Sequence, residues 1–373
     1  MPMTHSVSLL RGSLKLRIRS TAWIAVAAIS LMGLGGWVAE ADAATKTRGK
    51  TTSVRKQTAR KAKPKASVAP SRRTTRARTV SRSRLARARA ARARQQWLEL
   101  QTPRYKTDES GALVPDVRAA AAIIYNPENG QVLWEANSQD KRSIASITKV
   151  MTGAVALEDD PDLSREVVVA RSDTYAANHT YLRPNDRVSV GDLLHLALIA
   201  SDNAAARALA RTSPDGSEAF VARMNAKAQE LGLDNTTYHD PSGLDPSNVS
   251  SAYDMARLIA FAAGDERMAS IMRMQHYTVR TGRRVINIHS TNQLVMKGDV
   301  DVLGGKTGFI SKAGYCLATL LRLPQTDQQV AVVVLGAQSN AGRFMETRHL
   351  FNWLSSKAQE LTTPVEEPQQ NPE

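Results

Sequence analysis

Strand-like stretches at both ends of residues 105–357 enclose a run of helical segments, and that order restricts the chain to few architectures. At the front, Ala119–Asn137 reads as a hairpin, with two apolar runs flanking the turn Pro127-Glu128-Asn129-Gly130. At the back, Tyr277–Thr281, Val285–Ile288, Val302–Thr307, Tyr315–Leu323 and Val330–Leu335 have strand character. Between them, Ile147–Leu157 carries apolar residues at helical spacing, and Ser189–Ala200 is apolar nearly all round. Two further helices start at Ser217 and Ser251 and stop at Gly232 and Gly264, a capping residue and a glycine in each case. A last amphipathic helix covers Ala341–Lys357. The expected fold class is α/β in the α+β sense: one antiparallel sheet built from both chain ends, with a helical lobe inserted between them.

The net charge of +15 does not belong to that body. Residues 45–94 hold nineteen bases and no acid, whereas the chain from Gln95 onward holds 27 bases and 33 acids. The basic segment is rich in Ser, Thr, Pro and Ala and nearly devoid of large apolar residues, so it cannot bury a core. Residues 44–104 are therefore expected to form an unstructured linker, spanning roughly 40 Å as a flexible coil. Ala and Arg favour transient helix over 83–97, but no apolar face repeats there. The block lacks aromatics before Trp97, so it offers no base-stacking platform, and nucleic acid is disfavoured as a partner. Adhesion to an anionic surface, phospholipid or cell-wall polymer, is the functional alternative to a plain tether.

Residues 1–43 read as an export signal. Arg11, Lys15, Arg17 and Arg19 precede the uncharged run Thr21–Val38, and Ala41 and Ala43 form a small-x-small cleavage pattern. The reading is removal after Ala43, with a retained anchor as the alternative, and in both cases a periplasmic or cell-envelope location. Cys316, the only cysteine, excludes an internal disulfide, and the seven histidines show no paired spacing, so neither a metal nor a cofactor is expected. Residues 358–373 are Pro-rich and acidic and read as a disordered tail.

Three short motifs carry chemistry: Ser146-Ile147-Thr148-Lys149, Ser201-Asp202-Asn203 and Lys306-Thr307-Gly308. Each alone is weak. Ser53–Lys56 repeats the first pattern and Ser290–Asn292 the second, while Gly49–Thr51 mimics a P-loop end whose required first glycine is Ala44. Context separates them. Ser146 opens an apolar helix, Lys149 lies one turn on, and burial of the lysine stem would lower its pKa toward a neutral base. Ser201–Asn203 lies between two apolar helices, where it is either ordinary capping or a site. Lys306 lies on a strand between Gly305 and Gly308, which would clear space for a substrate backbone.

In this order the motifs resemble those of penicillin-binding proteins and class A β-lactamases. The blocks "ASITKVMT", "LALIASDNAAARALA", "MNAKAQELGLDNTTYHDPSGLDPSN", "STNQLV" and "GGKTGFISKAGYC" are most similar to the low-molecular-mass serine D-Ala-D-Ala peptidases, peptidase family S11. The resemblance covers Ala119–Leu354. It implies a β-lactamase/DD-peptidase-like fold with a catalytic domain at 105–357, peptidoglycan peptides as substrates and β-lactams as covalent inhibitors. It further implies Ser146 as nucleophile, Lys149 as its base, and Ser201 with Lys306 as a proton relay. Asn203 would contact the substrate amide, and Lys306 and Thr307 the terminal carboxylate. The N–H groups of Ser146 and Phe309 would form the oxyanion hole, with Gly308 completing the binding strand.

Two alternatives belong beside this reading. A class A β-lactamase adds a Glu-x-x-x-Asn element, yet Glu218, Glu230 and Glu266, the glutamates in 204–305, lack Asn at that spacing. A non-catalytic wall-binding protein would not need all three motifs intact. Between endopeptidase and carboxypeptidase, the compact body points to the former, since about sixteen residues follow the last expected helix. Phe309, where many carboxypeptidases have His, points the same way.

Overall fold

The computed structural model describes residues 72–362 apart from Gln325. The export signal, the linker up to residue 71, the patterns at Ser53–Lys56 and Gly49–Thr51, and the tail beyond Thr362 lie outside the described residues.

The main sheet has five antiparallel strands: β1 (Ala121–Tyr125), β2 (Val132–Ala136), β3 (Asp301–Ile310), β4 (Gly314–Arg322) and β5 (Gln329–Ala337). Their spatial order is β3-β4-β5-β1-β2, so the front hairpin pairs with the last strand and the sheet does join both chain ends. The strands read as continuous apolar runs because both faces are covered. Ala121, Ile123, Ala331, Val333 and Leu335 face the helical lobe, while Ala122, Ile124, Val330, Val332 and Val334 face the opposite side.

On the lobe side stand α2 (Thr148–Glu158), α3 (Val190–Leu198), α4 (Asn203–Arg211), α5 (Gly216–Glu230), α6 (Ala252–Gly264) and α7 (Glu266–Arg273), preceded by α1 (Arg72–Gln101) outside the lobe. The far face is covered by α8 (Asn340–Thr362), which brings Phe344, Leu350 and Phe351 against the sheet. Ser189 and Ser251 cap α3 and α6, accepting from the N–H groups of Asp192 and Asp254.

Four expectations are corrected. Helix α1 replaces the unstructured chain expected up to residue 104. It contains neither Gly nor Pro, is rich in the strong helix formers Ala and Arg, and is bounded by Pro70 and Pro103. Its last turn is held to the body where His349 Nε2 donates to the Gln101 carbonyl (3.1 Å) and Arg118 donates to that of Glu99 (3.1 Å). Helix α7, unannounced by any strong cap-to-glycine frame, starts at an Asp265 cap immediately after α6. The strands His276–Arg280 and Val285–His289 pair with each other and stay outside the main sheet, because the alternation that marks a strand does not mark its partner. Finally, α8 runs to Thr362, past Lys357 and into the tail expected from 358.

The sheet and α8 are joined by one buried carboxylate. Glu346 accepts the backbone N–H groups of Arg118 (3.0 Å) and Ala119 (2.9 Å), fixing where the chain enters β1. Removing it leaves two donors without acceptors, at about 1–3 kcal/mol each. Glu346→Ala is expected to lose about 2–6 kcal/mol in urea unfolding, and Glu346→Gln, which keeps one carbonyl acceptor, roughly half of that.

Candidate active site

The three motifs converge on one cleft of about 720 Å³ between the helical lobe and edge strand β3. Ser146, Ser201, Asn203, Thr307, Gly308 and Phe309 line it, while Lys149 and Lys306 stand behind that surface, 0% and 1% exposed.

Ser146 sits in a single 3₁₀ turn, Ala145–Ile147, that leads into α2. The turn is wedged between two glycines. A Cβ on Gly243, whose φ is +80°, would stand 2.0 Å from the Ala145 carbonyl oxygen, and one on Gly308 would stand 2.7 Å from that of Ile144. A Cβ on Gly305 would meet Asn292 Nδ2 at 2.8 Å. The glycines flanking Lys306 therefore make room for the protein itself, the nucleophile turn and the Asn292 side chain, which corrects the expectation that they clear space for substrate. Ala145 adopts a left-handed φ of 50°, and Ser201 one of 61°. Both are sparsely populated for residues with a Cβ, and such strain persists only where packing holds it.

Lys149 Nζ has three neighbours: Ser146 Oγ at 2.8 Å, Asn203 Oδ1 at 2.6 Å and the Ser242 carbonyl. Two of these can only accept, while the hydroxyl can also donate. A neutral amine keeps its two N–H bonds to Asn203 and Ser242 and turns its lone pair toward Ser146. Burial pushes the Lys149 pKa down to about 7, although Asp240 and Asp202 pull it back up. Losing a proton thus aims a base at the serine hydroxyl.

Lys306 Nζ donates to Ser201 Oγ (2.8 Å) and to its neighbour's carbonyl on Thr307 (2.8 Å), linking the sheet to the lobe. Burial holds it well below the ordinary lysine value, helped by the positive charges of Lys149 and Arg343. Asn203, expected on the substrate, has both ends of its amide engaged: Oδ1 on Lys149 and Nδ2 on the Ala177 carbonyl at 2.7 Å. Phe309 lies at the rim, 49% exposed, stacked on Tyr315 with ring centroids 4.2 Å apart.

At Ser201–Asn203 a helix cap and a place on the cleft wall occur together. Asp202 caps α4 by accepting from Ala205 N (2.9 Å), and its other oxygen accepts from Tyr181 N (2.6 Å) and Thr180 Oγ1 (3.0 Å). Its two neighbours are thereby turned into the cleft.

Several site residues escape a motif reading. Asp240 accepts from Ser242, Gly243 N (2.9 Å) and Asn248 Nδ2 (2.9 Å), fixing the loop whose carbonyl holds Lys149. Asn248 also donates to Thr148 Oγ1 (3.1 Å) inside the first motif. Thr291, in the pattern taken as a chance repeat of the second motif, lines the cleft and hydrogen-bonds Thr307 Oγ1 at 2.7 Å. Arg343, at the start of α8, donates to the carbonyls of Gly308 (2.9 Å) and Cys316 (3.1 Å) from beneath the cleft. The block "HDPSG" was the available signal for the first group; Arg343 had none. Among the described residues no group of His, Cys, Asp and Glu could hold a metal ion.

The clamp on the nucleophile turn can be tested by separating space from strain. Gly216 has φ +76° and open space around its missing Cβ, so Gly216→Ala is expected to cost about 1–2 kcal/mol of conformational strain alone. Gly243→Ala adds a collision with Ala145 and is expected to cost about 2–4 kcal/mol and to abolish the reactivity of Ser146. Urea unfolding with labelling by a serine-directed reagent reads both. Equal effects of the two substitutions would remove the clamp.

Known proteins can now be set beside this geometry. The D-alanyl-D-alanine carboxypeptidase model, Peptidase_S11, matches residues 108–339. The D-alanyl-D-alanine endopeptidase of Pseudomonas aeruginosa is 33% identical over 248 residues, covering 65% of this chain and 79% of that protein. D-alanyl-D-alanine carboxypeptidase DacC of Escherichia coli is 33% identical over 282 residues, covering 72% and 69%. Among solved structures, the Streptomyces K15 DD-transpeptidase aligns with a TM-score of 0.60 and 25% identity over 64% of this chain and 97% of that one. The fold, the convergence of the three motifs and the matched span agree: the chain belongs to the D-alanyl-D-alanine carboxypeptidase family of serine peptidases, S11.

Proposed function

We propose that the cleft takes a peptidoglycan peptide alongside edge strand β3 and cuts at a D-alanyl-D-alanine or cross-link bond. The activity class is that of its family, a serine hydrolase working through an acyl-enzyme that penicillin also forms. Neutral Lys149 takes the Ser146 proton as Oγ attacks the carbonyl. The N–H groups of Ser146 and Phe309 stabilise the oxyanion. Ser201, held by Lys306, passes a proton to the departing amine, and water then hydrolyses the ester.

Asn203 and Thr307 line the cleft where the substrate amide and terminal carboxylate would lie. Lys306, committed to Ser201 and the Thr307 carbonyl, acts on the carboxylate through its field, and Thr307, oriented by Thr291, makes the contact. The observation that carries the mechanism is the set of three acceptors around Lys149, of which only Ser146 can reverse.

The endopeptidase reading rests on the relatives named endopeptidase, 79% of whose length this chain covers in two cases, against 62–69% for five named carboxypeptidases. A class A β-lactamase is disfavoured because no carboxylate lines the cleft among the described residues. Glu230 pairs with Lys227 and Glu266 with Arg273, and Glu218 is exposed on α5. Residues 1–43 would export the chain to the cell envelope. The basic segment 45–94 would hold it on an anionic surface there, either lipid headgroups or wall polymer.

Product analysis by mass spectrometry decides the substrate. With a cross-linked muropeptide dimer, conversion to monomers is expected. Loss of a single alanine from a pentapeptide, with the dimer untouched, would make the enzyme a carboxypeptidase. Penicillin is expected to label Ser146 and to be released slowly, and rapid turnover would overturn that.

The acylation rate should depend on pH through Lys149. Since the neutral amine is the base and its pKa lies at about 7, the rate is expected to rise about tenfold per pH unit below that value and to level off above it. Lys149→Met is expected to lose about 10²–10⁴-fold. A profile that still climbs steeply to pH 10 would mean an unperturbed lysine.

A further inference from the structure

Exposed large apolar side chains occur on the lobe at Leu163, Val168, Tyr175 and Phe261, and four more follow one another in sequence at and just after the end of α1. Trp97 and Leu98 in its last turns are 53% and 49% exposed, and Tyr105 and Leu113, on the small hairpin Tyr105–Thr107/Leu113–Pro115, are 49% and 63% exposed. Tyr105 and Leu113 also wall an open groove of about 340 Å³ with Pro103, His349 and Trp353 of α8. This patch shares no residue with the catalytic cleft.

The helix before it carries only basic charge over residues 85–98, while Glu99, Asp108 and Glu109 stand exposed at the patch itself. Arg87, Arg89, Arg92 and Arg94 are all exposed. Arg87, Arg94 and Leu98, spaced seven and four apart, share one face of α1. Leu100 turns the other way, toward Gly342 of α8, its Cδ2 3.6 Å from where a Cβ on that glycine would stand. Arginines thus lead along the helix into an aromatic and aliphatic cluster at its end.

We propose that this surface docks on an anionic phospholipid bilayer. The inference rests on the reading that the basic segment holds the protein on an anionic surface, and it names which one. A polyanionic wall polymer would pair with the arginines but leave Leu98 and Leu113 in water. A bilayer takes both kinds of side chain: guanidinium groups at the phosphates, the Trp97 and Tyr105 rings at the interface, the leucines just below. Each arginine near such a surface contributes roughly a fivefold gain in partitioning. Arg343 and Trp353 lie ten residues apart on α8, about 15 Å, so the docked face and the catalytic cleft are held apart on one rigid rod.

The test uses the chain from Ala44 onward, without the apolar run of the export signal, with Leu98→Cys and Cys316→Ala and an environment-sensitive fluorophore at position 98. A second chain carries it at Val168→Cys. Penicillin labelling of Ser146 certifies the fold of each. On vesicles of phosphatidylglycerol and phosphatidylcholine, the fluorophore at 98 is expected to shift to the blue and brighten, and the one at 168 to stay unchanged. Replacing Arg87, Arg89, Arg92 and Arg94 with Gln is expected to weaken the response at least about tenfold. No change at 98 while the chain co-sediments with the vesicles would overturn the patch and leave the adhesion reading standing. Absence of co-sedimentation would overturn both. A response at 98 to purified wall sacculi in place of vesicles would overturn the lipid assignment.

Discussion

The active site depends on an ammonium group that the protein has buried without giving it a counter-ion in contact. Lys149 is surrounded by a hydroxyl, an amide oxygen and a backbone carbonyl, with the carboxylates of Asp240 and Asp202 acting on it only through space. A direct carboxylate partner would have fixed the charge and removed the base. No partner at all would have left a donor unsatisfied, at a cost of about 1–3 kcal/mol or more. Neutral acceptors occupy the narrow ground between, and burial leaves the Lys149 pKa at about 7.

Much of the surrounding structure follows from keeping those acceptors in place. The Ser242 carbonyl is set by Asp240, which gathers backbone N–H groups of its own loop. Asn248 fastens that loop to Thr148, the first residue of α2, directly after the turn that carries Ser146. Thr152, one turn further along α2, donates to the Pro241 carbonyl at 2.6 Å. The loop is therefore held at both ends of the lysine's reach, and Gly243 permits the close approach. Removing any one tie relaxes a geometry in which Ala145 is already strained.

How far this could be seen in the sequence depends on the kind of contact. Side chains that act within one turn of helix leave a pattern, so Ser146 and Lys149 were legible, as were Ser201, Asn203 and the Lys306 strand once their order was considered. The alternating and continuous apolar runs likewise marked β1 through β5. Contacts made by backbone groups leave no residue signature, which hides the role of Ser242. Pairs distant in sequence carry no spacing, which hides Arg343 under Gly308 and Thr291 beside Thr307. The second case is instructive, because Ser290–Asn292 matched a motif by form yet enters the site through its middle residue. Helix α1 was missed for a different reason. Its composition forbids a core of its own, and a helix without an apolar stripe is stabilised by propensity and by docking of one end, which the pattern of charges does not record.

Helix α8 ties these separate elements together. Arg343 on its first turn grips the carbonyl of Gly308, Glu346 one turn on receives the chain entering β1, and His349 in the next turn holds the end of α1. Each contact ends on backbone, so the helix positions main chain and leaves the substrate-facing side chains free to vary. The floor of the cleft, the first strand of the sheet and the basic helix outside are referred to one rod roughly 30 Å long. A change of side chain in the cleft alters chemistry locally, whereas a shift of this rod would move Gly308 against the Ala145 turn, where no spare ångström exists. Through Gly308, α8 thus bears on the strained Ala145–Ile147 turn in a fold assembled from the two ends of its chain.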